Sequence, residues 1–135
     1  MPTGIVRLTP PADSVTDPGN KDERCREFNK ILWLGGLTRA LRVAAMDDEA
    51  KLLCVPHSAN LAMVTVFTLH ILGAIPNAGP YLEFSIEPTS WTKDLYYPEL
   101  KVQNGNVAIP SGPGWGVTIN PKWLAKAKRQ ISERG

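Results

Sequence analysis

The amino-acid sequence predicts an α/β fold built on a parallel sheet. Three observations carry that prediction: short apolar runs read as buried strands, apolar residues at helical spacing fall between them, and the connections are only a few residues long. Residues 1–28 stand apart, because Pro2, Pro10, Pro11 and Pro18 interrupt any regular element and Lys21, Asp22, Glu23, Arg24, Arg26 and Glu27 form a charged run. Such a leader is expected to be disordered, with the folded unit spanning residues 29–135. The first strand is expected at Ile31, Leu32, Trp33 and Leu34, stopped by Gly35 and Gly36. A helix follows, with Leu37, Ala40, Leu41, Ala44 and Ala45 as its core stripe, Thr38 near its start, and Arg39 and Arg42 facing water. Its end carries Asp47, Asp48 and Glu49 with no glycine cap after them, a choice that the helix dipole does not explain.

Leu52, Leu53, Cys54 and Val55 predict a second strand, ended by Pro56, whose ring donates nothing to a ladder, and followed at once by His57 and Ser58. Asn60 is expected to cap a long helix, Leu61 to Leu72, which is apolar nearly all round and therefore covered on most sides, with Gly73 suiting its C-terminal turn. Tyr81, Leu82, Glu83 and Phe84 read as the third short strand. After Trp91 the pattern turns antiparallel: Leu100 to Gln103 and Val107 to Ile109 flank Asn104, Gly105 and Asn106, a strong hairpin signal. A glycine-rich turn, Gly112 to Gly116, leads to Val117 and Ile119, and Asn120 caps a last helix with Pro121 at its first position, running through Trp123, Leu124 and Ala127. Lys122, Lys126 and Lys128 on that helix read as a solvated face.

At 135 residues and 43% hydrophobic, the chain has apolar side chains for one core and one domain at most. A net charge of +2 creates no strong field, so nothing calls for nucleic acid or an anionic membrane as partner. The longest apolar stretch, Leu61 to Ile75, is interrupted by Thr65, Thr68 and His70 and is too short to span a bilayer comfortably. No basic start followed by an apolar core marks a secretory signal, so a cytoplasmic location is the default expectation. Cys25 and Cys54 lack metal-ligand spacing and read as buried free thiols.

Chemistry is sought first at His57, just beyond the C-terminal end of an apolar strand, the edge at which parallel barrels hold their active sites. The plainer alternative is a helix-entry residue bonding backbone. Glu83 is the second candidate, a carboxylate inside an otherwise apolar strand. Burying it costs several kcal/mol unless it is paired, so it marks either a site or a strand edge.

These residues resemble a known family. Gly35-Gly36-Leu37-Thr38 with its alanine-rich helix, then Val55-Pro56-His57-Ser58, Ile75-Pro76-Asn77-Ala78 and Tyr81-Leu82-Glu83, look like the sixth to eighth barrel strands of the mandelate racemase and muconate lactonizing group in the enolase superfamily. Pro110-Ser111-Gly112-Pro113-Gly114-Trp115-Gly116-Val117 resembles the segment by which such chains return to their capping domain. The resemblance covers roughly residues 29–135 and implies a partial (β/α)8 TIM-type barrel with a C-terminal β-hairpin and helix. It also implies proton abstraction next to a substrate carboxylate, with the resulting enediolate stabilised on magnesium. His57 would be the general base, or the acid that expels a hydroxyl in the family's dehydratases. Glu83 would hydrogen-bond the substrate carboxylate as the neutral acid.

Two departures accompany the resemblance. Aligned on Gly35-Gly36, Lys30 occupies the position of the aspartate on which the family's histidine usually leans, and a lysine repels an imidazolium rather than supporting it. The family's metal-binding carboxylates and its lysine base belong to its second to fifth strands, which this sequence does not show, so no magnesium site is expected. Asp13, Asp17, Asp22, Glu23 and Glu27 have no strand context to replace them. Two functional readings follow. The first is a C-terminal fragment of an acid-sugar dehydratase or racemase, inactive alone and prone to aggregate through open sheet edges. The second is a non-catalytic interaction module pairing with itself as a homo-oligomer or with a full-length relative.

Overall fold

The computed structural model describes residues 5–7, 25–28, 35–58, 62–85, 90 and 92–131. In chain order the elements are β1 (Ile5–Arg7), β2 (Cys25–Phe28), α1 (Leu37–Glu49), β3 (Leu53–Pro56), α2 (Met63–Ala74), β4 (Tyr96–Tyr97), β5 (Val102–Gln103), β6 (Asn106–Ala108), β7 (Thr118–Ile119) and α3 (Pro121–Leu124). The chain is α/β, with a parallel pair around β3 and antiparallel pairs elsewhere. β2 runs parallel to β3, with Cys25 beside Leu53 and Phe28 beside Pro56. The backbone after α2 adds a further parallel bridge, Ala78 against Cys54. There the Cys54 N–H donates to the Asn77 carbonyl and the Gly79 N–H donates to the Cys54 carbonyl, both at 2.8 Å. Gly79 is required at that approach, since a Cβ would collide with Val55 Cγ2 and lie 3.2 Å from the Cys54 carbonyl oxygen.

Several sequence expectations are corrected. The charged leader was read as free of regular elements, yet β1 pairs antiparallel with β6 and β2 pairs with β3. Backbone ladders need no apolar side chain, so a charged run can still complete a neighbouring strand. The strand expected at Ile31 to Leu34 lies outside the described residues, as does the Asn60 cap; α2 starts at Met63 behind Ala62, which makes no side-chain cap bond. Tyr81 to Phe84 is no ladder strand: Tyr81 is an isolated bridge residue and 82–85 carry no regular pattern. Gly73 lies in the last turn of α2, one residue before its end, where a Cβ would lie 2.5 Å from Ile109 Cδ1, the tip of a side chain that can shift. On α1 only Ala40 and Ala44 of the expected stripe are buried, while Leu37 and Leu41 are about two-fifths exposed (41% and 39%). The last helix closes at Leu124, before Ala127.

α2 bears out the all-round apolar reading. Val64, Thr65, Val66, Thr68, Leu69, Ile71 and Leu72 are buried, and the Thr68 hydroxyl donates to the Val64 carbonyl at 2.8 Å within the helix. Leu69, Leu72, Leu82 and Val107 form the main apolar cluster, with Ile75, Ala78, Phe84, Leu100 and Ile109 packed against it. Ile75 also borders the clusters of Ala40, Val64 and Ile71 and of Ala44 and Cys54, which joins both helices to β3. α1 ends in a Schellman motif: the Leu52 N–H donates to the Asp47 carbonyl at 2.8 Å, the Lys51 N–H to the Asp48 carbonyl at 2.9 Å, and Lys51 takes the left-handed φ of 58° usually left to glycine.

In the antiparallel half, Asn104 and Gly105 have φ of 51° and 71°, the pair of left-handed residues that a two-residue hairpin turn requires. Asn120 caps α3 by accepting from the Lys122 N–H at 3.0 Å and donates to the Asp94 carbonyl at 2.9 Å, tying α3 to the turn before β4. The His70 Nε2–H donates to the Trp115 carbonyl at 2.9 Å and Phe67 stacks on Trp115 at 4.6 Å, so α2 holds the glycine-rich return segment. No described helix is long and apolar enough to cross a membrane.

Burial, with the Asp47 charge assisting, pushes the Cys54 thiol up to about 11, and burial with Glu99 nearby pushes the Tyr96 phenol up to about 12. The folded chain therefore keeps protons that the unfolded chain releases at ordinary values of 9.0 and 10.0, so stability falls as pH rises through about 9 to 12. Urea unfolding midpoints should decline across that window and stay level in this respect below it, and a Cys54→Ala variant should lose the lower part of the decline.

Candidate active site

β3 carries the chain to the C-terminal rim of the parallel array, and His57 is the first residue beyond it. Its neighbours are fixed on both sides. Pro56 is buried, and the Ser58 hydroxyl lies 3.0 Å from the Thr65 hydroxyl, a pair buried to 2% and 0% exposure at the entrance of α2. The backbone after α2 travels in the same direction from the Cys54–Ala78 bridge, passes Leu82, which is buried in the main cluster, and reaches Glu83. Parallel pairing thus takes both chains to one rim.

There the two candidate residues meet. His57 Nδ1 is in ion-pair contact with Glu83 Oε2. The histidine side chain is 27% exposed and the glutamate 49%, so the carboxylate lies outermost and the pair opens to solvent. A glutamate this exposed carries no buried-charge cost, so the sequence argument that a charge in an apolar strand must be compensated does not apply. What remains is geometry. An ionised carboxylate only accepts, so Nδ1 carries the hydrogen between them whether the ring is neutral or protonated.

Lys30, expected in the position of the family's aspartate, lies outside the described residues. Cys54 is a buried free thiol three residues before His57; the Cys25 side chain lies outside the described ones. Among the described residues no three His, Cys, Asp or Glu side chains converge, and His57 with Glu83 offers too few oxygen donors for a magnesium ion. The described residues therefore do not fit the metal that the resemblance implies. Sequence reading missed the Ser58–Thr65 pair and Asn77, whose side-chain amide donates to the Ala44 and Leu52 carbonyls at 3.0 and 3.1 Å. The available signal was polar groups flanked by apolar runs, Thr65 within α2 and Asn77 after Ile75-Pro76.

Residues 29–123 match the family model described as enolase C-terminal domain-like. A crystal structure of a candidate racemase from Roseobacter denitrificans shares 47% identity and a TM-score of 0.71 over 78% of this chain and 30% of its own. A candidate L-alanine-DL-glutamate epimerase from Burkholderia xenovorans, solved with magnesium and fumarate, shares the fold at 23% identity and a TM-score of 0.65 over 76% of this chain and 25% of its own. The D-xylonate dehydratase of Haloferax volcanii is 28% identical over 87 residues, 64% of this chain and 21% of its own. This chain spans about a fifth to a quarter of the length of the curated relatives it matches (23% and 21% for the first two).

Because His57 and Glu83 are partly solvated, their contact adds little to stability. His57→Ala should change the unfolding free energy by less than about 1 kcal/mol in chemical denaturation, as expected of a rim residue. A loss of several kcal/mol would mark the imidazole as a structural group instead.

Proposed function

Since the chain belongs to the enolase C-terminal domain-like family, we propose that it supplies the C-terminal strands, about the sixth to the eighth, of a (β/α)8 barrel in an acid-sugar dehydratase or racemase. The observation that carries this reading is the His57–Glu83 contact at the C-terminal end of parallel strands, the end at which such barrels do chemistry. The substrate class is a sugar acid, in keeping with the Haloferax relative that acts on D-xylonate. His57 is the proton-transfer group, taking the proton next to the substrate carboxylate or giving one to a departing hydroxyl. Glu83 stands beside it at the place where the resemblance puts the substrate carboxylate. The magnesium of this chemistry belongs to other strands of the complete enzyme, and the chain by itself is inactive. A cytoplasmic location is part of the same reading.

The test grafts residues 29–123 in place of the matching segment of the Roseobacter protein and follows solvent deuterium uptake beside the carboxylate across a panel of sugar acids. The graft should catalyse exchange, the isolated chain should not, and His57→Asn in the graft should slow exchange by roughly 10²–10⁴-fold, the usual worth of a positioned acid or base. Exchange that ignores His57 would remove the reading.

A second reading, a non-catalytic module that pairs with itself or a full-length relative, draws on the exposed apolar side chains of α1 and β3, Leu37, Leu41, Met46 and Leu53, which are 39–60% accessible. Sedimentation of the isolated chain separates the two. A single well-defined oligomer favours the module; a monomer or a heterogeneous aggregate favours the barrel segment.

A further inference from the structure

We infer that Glu83 is a positioning residue for His57: its carboxylate holds the imidazole at Nδ1, fixes the Nδ1–H tautomer and so sets which nitrogen the ring turns to chemistry. This deepens the proposed function and rests on it for the meaning of the word positioning. It gives Glu83 a task other than the substrate-carboxylate contact that the resemblance implies.

The geometry is particular. His57 Nδ1 meets Glu83 Oε2 directly, and a carboxylate in that place can only accept a hydrogen bond. Exposed ion pairs are usually loose, because two long side chains lose rotamer freedom to stay together. Here the backbone on each side is already fixed. Ser58, next to His57, is 2% exposed and bonded to Thr65; Leu82, next to Glu83, is 1% exposed and part of the main apolar cluster. The two segments are bridged by backbone hydrogen bonds at Cys54, so the approach of the two side chains is set by the sheet and by the core, not by their mutual attraction. The imidazole is the more buried partner of the two, as expected of the group that is held in place. A carboxylate at Nδ1 orients the ring and stabilises the imidazolium that forms when the other nitrogen takes up a proton.

The chain holds two histidines, which makes the test internal. His70 donates from Nε2 to the Trp115 carbonyl, an acceptor that fixes the opposite tautomer. Imidazole ¹⁵N shifts are recorded on the ¹⁵N-histidine-labelled full chain at roughly pH 8.5, above the ordinary imidazole range. His57 should show its proton on Nδ1 and His70 on Nε2. Glu83→Ala should lower the share of His57 that carries its proton on Nδ1 and leave His70 unchanged. If Glu83→Ala disturbs His70 as well, Glu83→Gln, which keeps the volume but weakens the acceptor, takes its place and should move His57 alone. An unchanged His57 spectrum in a variant whose His70 signals are intact overturns the inference. Because the tautomer is read without turnover, an inactive graft leaves the result standing, and an active graft with an unmoved tautomer removes only the role of Glu83.

Discussion

The two backbone hydrogen bonds between Cys54 and the Asn77–Gly79 segment are the constraint on which the candidate site depends. They force the chain after α2 to run parallel to β3, and a parallel pair reaches the same rim from both members. His57 follows the bridged Cys54 and Glu83 follows the bridged Ala78, so their side chains emerge at one end of the array. An antiparallel pairing at the same point would have sent them to opposite ends. The site is therefore a consequence of strand direction, and strand direction is a consequence of α2, whose length returns the chain to the start of the sheet.

That pairing is reinforced from behind. Asn77 ties α1 and the turn after it to the bridge through the Ala44 and Leu52 carbonyls, and Ile75 packs against all three apolar clusters. The acidic end of α1 becomes intelligible in the same corner. Its carbonyls are satisfied by the Schellman bonds with Lys51 in the left-handed conformation, and Asp47 turns inward beside Cys54, whose thiol is raised by burial first and by the Asp47 charge second. The arrangement has a cost, since among the described residues Asp47 Oδ2 and Asn77 Oδ1 are buried with no hydrogen-bond partner, each an expense of about 1–3 kcal/mol.

What could be read from the sequence divides along physical lines. Signals local to a few residues were legible: Asn104-Gly105 for the hairpin, Asn120-Pro121 for the last helix start, and the apolar length of α2. Signals that depend on partners were not. The charged Cys25–Phe28 segment reads as leader until β3 offers it a ladder, and the approach of Ile109 to Gly73 is a contact that no local signal announces. Leu37 and Leu41 have the spacing of a core stripe, but spacing cannot say whether a partner surface is present to cover them. His57 and Glu83 were each legible as candidates from position in a strand and helix rhythm, whereas their contact required knowing that the third segment pairs at Ala78, ahead of the apolar run at Tyr81.

A division of labour between stability and chemistry follows from these placements. The groups that hold the rim together, the Cys54 backbone, Asn77, the Ser58–Thr65 hydroxyls and Leu82, are buried, while the groups on the rim are partly solvated. An ion pair in that position contributes little to folding, so the sheet does not depend on it. Solvation also allows the pair to respond to its surroundings. A carboxylate half in water can change partner more cheaply than a buried one, because water takes the place of the partner it leaves. The same exposure limits what the pair can achieve alone. In open solvent a fixed dipole or charge acts through a high dielectric, and its electrostatic effect stays weak until further walls exclude water. The described residues thus provide a His57–Glu83 pair on a rim held rigid from behind, with Leu37, Leu41 and Met46 of α1 left exposed.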